Sequence, residues 1–126
     1  MKKENKKITE LVKTFEDARK LTGRPDVPDF SNLPTDMRKH FEAQYKMIVI
    51  AEALNEGWIP DWDNYNEYKY YPWFEMSPSS FAFCGSYCAD VFADAGSGSR
   101  LKFRTSELAN YAAEQFIDIW KDIQIG

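Results

Sequence analysis

Residues 58–74 constrain the fold more than any other part of the sequence. They hold eight aromatic side chains in seventeen positions, and two prolines interrupt them. The first part, residues 58–66, carries the Pro, Asp and Asn residues that favour turns, and it predicts an ordered loop. Residues 68–75 predict a β-strand. Because Pro72 has no N–H to donate to a ladder, this strand must lie at a sheet edge or contain a bulge.

The first helix is predicted from apolar residues that recur every three or four positions over residues 8–21. Its starting point has two interpretations. The periodic pattern begins near Thr9, whereas Thr14 followed by Asp17 is an N-cap pattern that starts the regular helix only at Phe15.

Two longer helices are predicted further along the chain. Residues 34–56 form the second, which ends at Gly57, and its middle part, residues 47–51, is apolar all round. A helix of that kind is buried in the centre of its domain. The third helix follows the capping residue Thr105 and carries its apolar stripe as far as Ile123.

Residues 81–88 and 100–104 predict two more strands. The order is then α-α-β-β-β-α, and the predicted fold class is α+β, with a small antiparallel three-stranded sheet packed against helices. A chain of 126 residues fits one domain. Its first seven residues, 1–7, are predicted to be a disordered basic tail.

The charge balance bears on the partners of the chain. A net charge of −4 argues mildly against nucleic-acid binding, which usually needs a basic surplus, although a local basic patch remains compatible with it. Because no apolar run follows the charged start and none reaches the length of a membrane span, we expect a cytoplasmic protein without a membrane partner.

No catalytic pattern is present among the residue types that carry chemistry. Cys84 and Cys88 lie four apart on a predicted strand, about 13 Å from each other, which is too far for a disulfide. We expect them to be small buried or half-buried residues, and we expect His40 to be solvated. The sequence predicts no metal site, no cofactor and no nucleophile–base pair, and therefore no enzyme.

The strand phases point to a surface instead, because side chains alternate between the two faces of a strand. In residues 100–104 three basic side chains alternate with apolar ones, and we expect the basic set to face water. These residues are Arg100, Lys102 and Arg104.

It is harder to decide which face of the strand at residues 68–75 is exposed, because both faces of this strand carry aromatic residues. The charged Lys69 and Glu75 favour the face of Tyr71 and Trp73 as the one in water. Tyr71, Trp73 and the three basic residues would then share a ligand-binding surface, where rings stack bases and cations neutralise phosphates. The alternative is that these aromatic residues pack in the core, with a bulge at Pro72 reversing the phase.

Three sequence motifs also resemble a known family. They are Asn55-Glu-Gly-Trp-Ile-Pro-Asp-Trp62, Asn66-Glu-Tyr-Lys-Tyr-Tyr-Pro-Trp-Phe74 and Gly98-Ser-Arg-Leu-Lys-Phe103. They are similar to motifs in short proteins encoded by gut Bacteroidales and their phages or prophages, and the resemblance extends from about residue 15 onward. The family has no assigned activity, so the resemblance implies a phage or mobile-element setting in a bacterial cytoplasm and no site residues.

Small phage proteins without catalytic motifs are commonly binders. The sequence therefore favours a non-enzymatic binding protein that contacts single-stranded nucleic acid or a nucleotide through an aromatic and basic sheet face. The alternative is a structural or protein–protein interaction module that assembles with itself or binds a host or phage protein.

Overall fold

The computed structural model describes residues 6–95 and 98–126, and in this part of the chain it contains five α-helices, one short 3₁₀ turn and a two-stranded antiparallel sheet. The elements are α1 (Ile8–Leu11), α2 (Phe15–Thr22), α3 (Thr35–Asn55), β1 (Lys69–Glu75), β2 (Ala82–Ala89), the 3₁₀ turn (Ser99–Leu101), α4 (Ser106–Gln115) and α5 (Ile117–Gln124). The class is α+β, but the predicted three-stranded sheet and the predicted order are wrong.

The N-terminal pattern contains two helices, so both predicted starting points are real. The hydroxyl of Thr14 accepts a hydrogen bond from the N–H of Asp17 at 3.1 Å, and the Asp17 carboxylate accepts from the N–H groups of Lys13 and Thr14. This capping box begins α2 and separates it from α1. Of the predicted basic tail, Lys7 donates its N–H to the Glu10 carboxylate, and residues 1–5 lie outside the described residues.

Helix α3 forms the centre of the core, as its apolar middle part predicts. Met47, Ile50 and Leu54 are completely buried in it. The helix ends where predicted, since Glu56 takes a left-handed conformation with φ of 51° before Gly57. Both α2 and the 3₁₀ turn pack against α3.

The predicted C-terminal helix is divided at Phe116 into α4 and α5. Phe116 has φ of −117° and ψ of 34°, which is outside the helical range. The indole N–H of Trp120 donates to the carbonyl of Ala112, which lies eight residues earlier, at 3.2 Å. That carbonyl also accepts the backbone N–H of Phe116 at 3.1 Å, so the indole is its second donor. Trp120 and Ile123 then bury the inner face of α5.

The predicted third strand, residues 100–104, is absent. Its first half is the 3₁₀ turn, and only Phe103 pairs with β1, through two backbone hydrogen bonds to Tyr70 of 2.9 and 2.8 Å. The next pair of this ladder would join Leu101 to Pro72. Since Pro72 has no N–H, the ladder stops after one pair.

The side chain of Asn55 holds the backbone of this segment in place of a strand. Its amide N–H donates to the Lys102 carbonyl at 2.8 Å, and its oxygen accepts from the Arg104 N–H at 3.0 Å. Asn55 is the last residue of α3 and is 5 % exposed. One buried amide therefore joins the end of the central helix to the segment beside β1.

Strand β2 contains a bulge. Beyond it, the side chains point to the opposite face of the sheet from the one that simple alternation predicts. Trp73 pairs with Gly85 but Phe74 pairs with Phe83, so that Cys84 has no partner residue. Gly85 has φ of 132°, a conformation that residues with a side chain rarely adopt. The bulge that was considered for the strand of Pro72 is therefore not there, and the sheet has one in β2 instead.

Two hydrogen bonds join the break between α1 and α2 to α4. The Tyr111 hydroxyl donates to the carbonyl of Val12 at 2.5 Å, and the Gln115 amide donates to the carbonyl of Lys13 at 2.9 Å. Val12 is completely buried beneath them.

Among the helices of residues 6–95 and 98–126, none combines the length and the apolar character needed to cross a bilayer.

Candidate functional site: the aromatic hairpin and two buried lysines

The hairpin of β1 and β2 presents three aromatic side chains on its outer face, here called the aromatic face: Tyr71, Trp73 and Tyr87. The rings of Trp73 and Tyr87 meet edge to face with their centres 4.3 Å apart. Trp73 keeps 54 % of its surface exposed and Tyr87 keeps 48 %, whereas Tyr71 is half-buried. The prediction that Trp73 faces water is therefore confirmed, and Tyr71 is less accessible than predicted.

Tyr87 belongs to this face because of the bulge. Simple alternation groups it with Phe83, yet Phe83 and Phe81 pack against Phe74 on the core side. Across Gly85 the phase reverses, and Tyr87 comes to lie beside Trp73. The sequence signal for this was a glycine in the middle of a strand, which often marks a bulge.

Lys102 is buried, which contradicts its predicted place on an exposed basic face. Its side chain has no exposed surface, and its Nζ lies 4.6 Å from the centre of the Tyr71 ring and 6.0 Å from that of Trp62. Within the described part of the chain this Nζ has no hydrogen-bond partner. The turn at Ser99–Leu101 replaces the predicted strand, so strict alternation does not decide where Lys102 points.

Lys69 is also fully buried, although its charge was expected to mark the solvent-facing side of β1. Its ammonium group donates to the carbonyls of Asn64, Glu67 and Asp90 at 3.3, 2.8 and 2.6 Å. It also lies 5.1 Å from the centre of the Trp62 ring. Lys69 thus joins the loop before β1 to the end of β2, and all three of its protons have acceptors.

Both lysines therefore lie near the indole of Trp62. Lys69 has hydrogen-bond acceptors there, whereas Lys102 has none among the described residues. Burial lowers the pKa of Lys102 to about 8, because desolvation disfavours the charged amine, and the negative charge of Asp94 opposes this only in part. Burial likewise raises the pKa of Tyr71. A buried amine with a lowered pKa is the kind of group that functional sites often contain.

Arg100 and Arg104 lie away from the aromatic face, at the C-terminal end of α3. Arg104 forms an ion pair of 2.6 Å with Glu56. Arg100 is exposed and lines a cleft of about 310 Å³ together with Arg24 and Trp58. The structure therefore does not bring the three predicted cations together with Tyr71 and Trp73 into one surface.

Two shallow clefts flank the aromatic face. One, of about 350 Å³, is lined by Tyr68, Tyr71 and the strongly exposed Phe92. The other, of about 200 Å³, lies between Trp73 and Trp120. Sequence reasoning missed Phe92, since nothing in the loop after β2 marks it as different from other apolar loop residues.

In the described part of the chain, the remaining reactive side chains do not form a catalytic or metal-binding cluster. Cys84 and Cys88 are free thiols and are exposed, contrary to the expectation that they are buried or half-buried. His40 is half-buried against Phe41, and its Nδ1 is buried, so it is less solvated than predicted. Among the described residues no group of three His, Cys, Asp or Glu side chains is arranged to hold a metal ion.

Comparisons with protein-family models, with curated proteins and with solved structures return no match for this chain.

Proposed function

We propose that this chain is a non-enzymatic binding protein that docks a protein partner on its aromatic face. The observation that carries the proposal is the exposure of Trp73, which keeps more than half of its surface in water while its ring is held edge-on against Tyr87. Tryptophan and tyrosine are enriched among the residues that contribute most to protein–protein affinity.

The geometry of the aromatic face supports rigid docking. Trp73 lies on a paired strand and contacts Tyr87 across the ladder, so its ring is already ordered before a partner arrives. Binding then costs little side-chain entropy, and the two flanking clefts can accept side chains of the partner. The cytoplasm of a bacterium, in a phage or mobile-element setting, is the location we propose for this interaction.

A protein partner agrees better with the charges than an oligonucleotide does. Of the predicted cations, Arg104 is paired with Glu56 and Lys102 is buried, so neither is available to phosphates at the aromatic face. The net charge of −4 adds a general repulsion toward nucleic acid.

The test compares Trp73→Ser with Tyr65→Ser, which changes a ring that is 65 % exposed and lies outside the hairpin. Each protein is immobilised and exposed to lysate of a bacterial host. We expect a protein that is retained by the wild type and by Tyr65→Ser but not by Trp73→Ser. The captured protein is then purified and its Kd measured by calorimetry, where Trp73→Ser should weaken binding about tenfold or more.

Equal affinity for the wild type and Trp73→Ser would overturn the proposal. A second titration uses a short oligothymidine and follows tryptophan fluorescence at low and high salt. Binding that weakens steeply with salt and disappears in Trp73→Ser would show that the aromatic face binds single-stranded nucleic acid and not a protein.

A further inference from the structure

The backbone of β2 has an outer edge that is free to pair. Both the N–H and the carbonyl of Tyr70 bond to Phe103, so they point away from β2. Tyr70 is opposite Cys88, which makes this a non-hydrogen-bonded pair of the β1–β2 ladder. The backbone groups of Cys88, and by alternation those of Ser86, therefore point to the far side of β2. Within residues 6–95 and 98–126 no backbone group bonds to them there.

Apart from the bulge at Cys84, this edge lacks the features by which proteins usually prevent edge pairing. Lysine, other charges and proline commonly protect an exposed strand edge. Strand β2 has the sequence Ala-Phe-Cys-Gly-Ser-Tyr-Cys-Ala, which contains none of them. By contrast, Pro72 and the segment around Phe103 cover the opposite edge of the sheet at β1. The bulge interrupts only the first half of β2, and Gly85–Ala89 pairs regularly with β1.

We propose that the occupant of this edge is a second copy of the chain, paired antiparallel through β2 about a twofold axis. Two copies with a net charge of −4 each repel one another over most of their surface. The electrostatic repulsion is smallest where they approach through β2, because its eight residues carry no charged side chain. Twofold pairing brings identical surfaces together, so the uncharged strand meets an uncharged strand.

The proposed register is the one in which both outward-pointing residues of each copy pair within the regular part of β2, Gly85–Ala89. Ser86 of each copy pairs with Cys88 of the other, and these two pairs form the hydrogen bonds. Tyr87 then lies opposite Tyr87 of the second copy as a non-hydrogen-bonded pair, with Cα atoms about 4.5 Å apart. Aromatic residues in such cross-strand pairs attract each other. The result is a four-stranded sheet in which the two aromatic faces form one continuous surface.

The dimer is independent of the partner bound by the aromatic face, and a separate experiment tests it. Sedimentation equilibrium of the wild type is expected to show a monomer–dimer equilibrium that higher salt strengthens, since salt screens the repulsion between the copies. Ser86→Pro removes the outward N–H without changing a hydrogen bond to β1 and should abolish the dimer. Ser86→Lys places like charges at the edge and should do the same. Trp73→Ser, on β1, should leave the dimer intact.

Cysteine cross-linking tests the register. Tyr87→Cys is made with Cys84→Ser and Cys88→Ser, and mild oxidation should join two copies by a disulfide. Phe92→Cys in the same background is the control and should remain uncross-linked, although Phe92 is 76 % exposed. A wild type that stays monomeric up to millimolar concentration would overturn the proposal. Dimers that persist in both Ser86 variants, or equal cross-linking of the two cysteine variants, would also contradict it.

Discussion

The Nζ of Lys102 lies 4.6 Å from the centre of the Tyr71 ring and, in the described part of the chain, has no hydrogen-bond partner. A buried ammonium group without acceptors lowers the stability of the folded state, and the attraction to the ring offsets this only partly. We predict that Lys102→Met, which keeps the length of the side chain and removes its charge, raises the free energy of unfolding at neutral pH by roughly 1–3 kcal/mol. Urea denaturation measures the change, and an equal or lower midpoint would contradict it.

The same lysine predicts a pH dependence of stability. Its pKa falls from 10.5 in the unfolded chain to about 8 in the folded protein. Between these values the unfolded state binds more protons than the folded state, so the free energy of unfolding rises with pH and is lowest below pH 8. The difference between wild type and Lys102→Met should therefore shrink between about pH 7 and about pH 9.5, before the raised pKa of Tyr71 takes effect. A difference that stays constant over this range would show that the amine is not desolvated.

The same substitution at Lys69 should have the opposite effect and lower the free energy of unfolding. Its ammonium group donates to three backbone carbonyls, and Lys69→Met would leave these partly buried acceptors without that donor. We predict a loss of roughly 2–4 kcal/mol in the free energy of unfolding. The two lysines are both fully buried and are matched controls for each other. Equal effects of the two Met variants would refute the distinction drawn between them.

Asn55 is predicted to be the most sensitive polar residue of α3. Asn55→Ala removes the partners of the Lys102 carbonyl and the Arg104 N–H, and we expect a loss of roughly 2–4 kcal/mol. Asn55→Asp keeps an acceptor for Arg104 but cannot donate to Lys102, so it should also destabilise the fold. Thermal unfolding of both variants, with the exposed Asn32→Ala as control, measures these effects. Wild-type stability of Asn55→Ala would mean that its two bonds contribute nothing.

Gly85 is required by its backbone conformation and not by lack of space. Its φ is 132°, and a Cβ added to it would have no atom within 4 Å, so Gly85→Ala should cost about 1–3 kcal/mol through strain alone. Gly98→Ala is the control, since Gly98 has a φ of −77° and is equally open. Its effect should be within about 0.5 kcal/mol. The Gly85 variant should also reduce the near-ultraviolet circular dichroism signal of Trp73 and Tyr87.

Local sequence signals were sufficient to locate the helical segments and the hairpin, although not every break between helices. The Thr14 cap, the Gly57 that ends α3 and the apolar stretch of α3 are each read from neighbouring residues, and the structure confirms the elements they predict. The break at Phe116 was missed because no proline or glycine marks it, and the apolar stripe continues across it to Ile123.

The candidate surface was predicted less well because it depends on long-range pairing. The effect of Pro72 on the third strand follows only when Tyr70 is known to pair with Phe103, and the position of Tyr87 follows only when the bulge is known. The burial of Lys102 needs both Trp62 and Tyr71 beside it, from segments that are distant in sequence. The face of Trp73 was assigned from the charges of Lys69 and Glu75, of which only Glu75 proves to be exposed.

The bonds from Tyr111 and Gln115 to Val12 and Lys13 have a consequence for synthesis on the ribosome. The first two helices emerge early, yet the groups that fix the break between them are 99 and 102 residues downstream. The nascent chain must therefore hold Val12 without its final cover until α4 has left the exit tunnel. During that interval the carbonyls of Val12 and Lys13 lack the donors that they have in the folded protein.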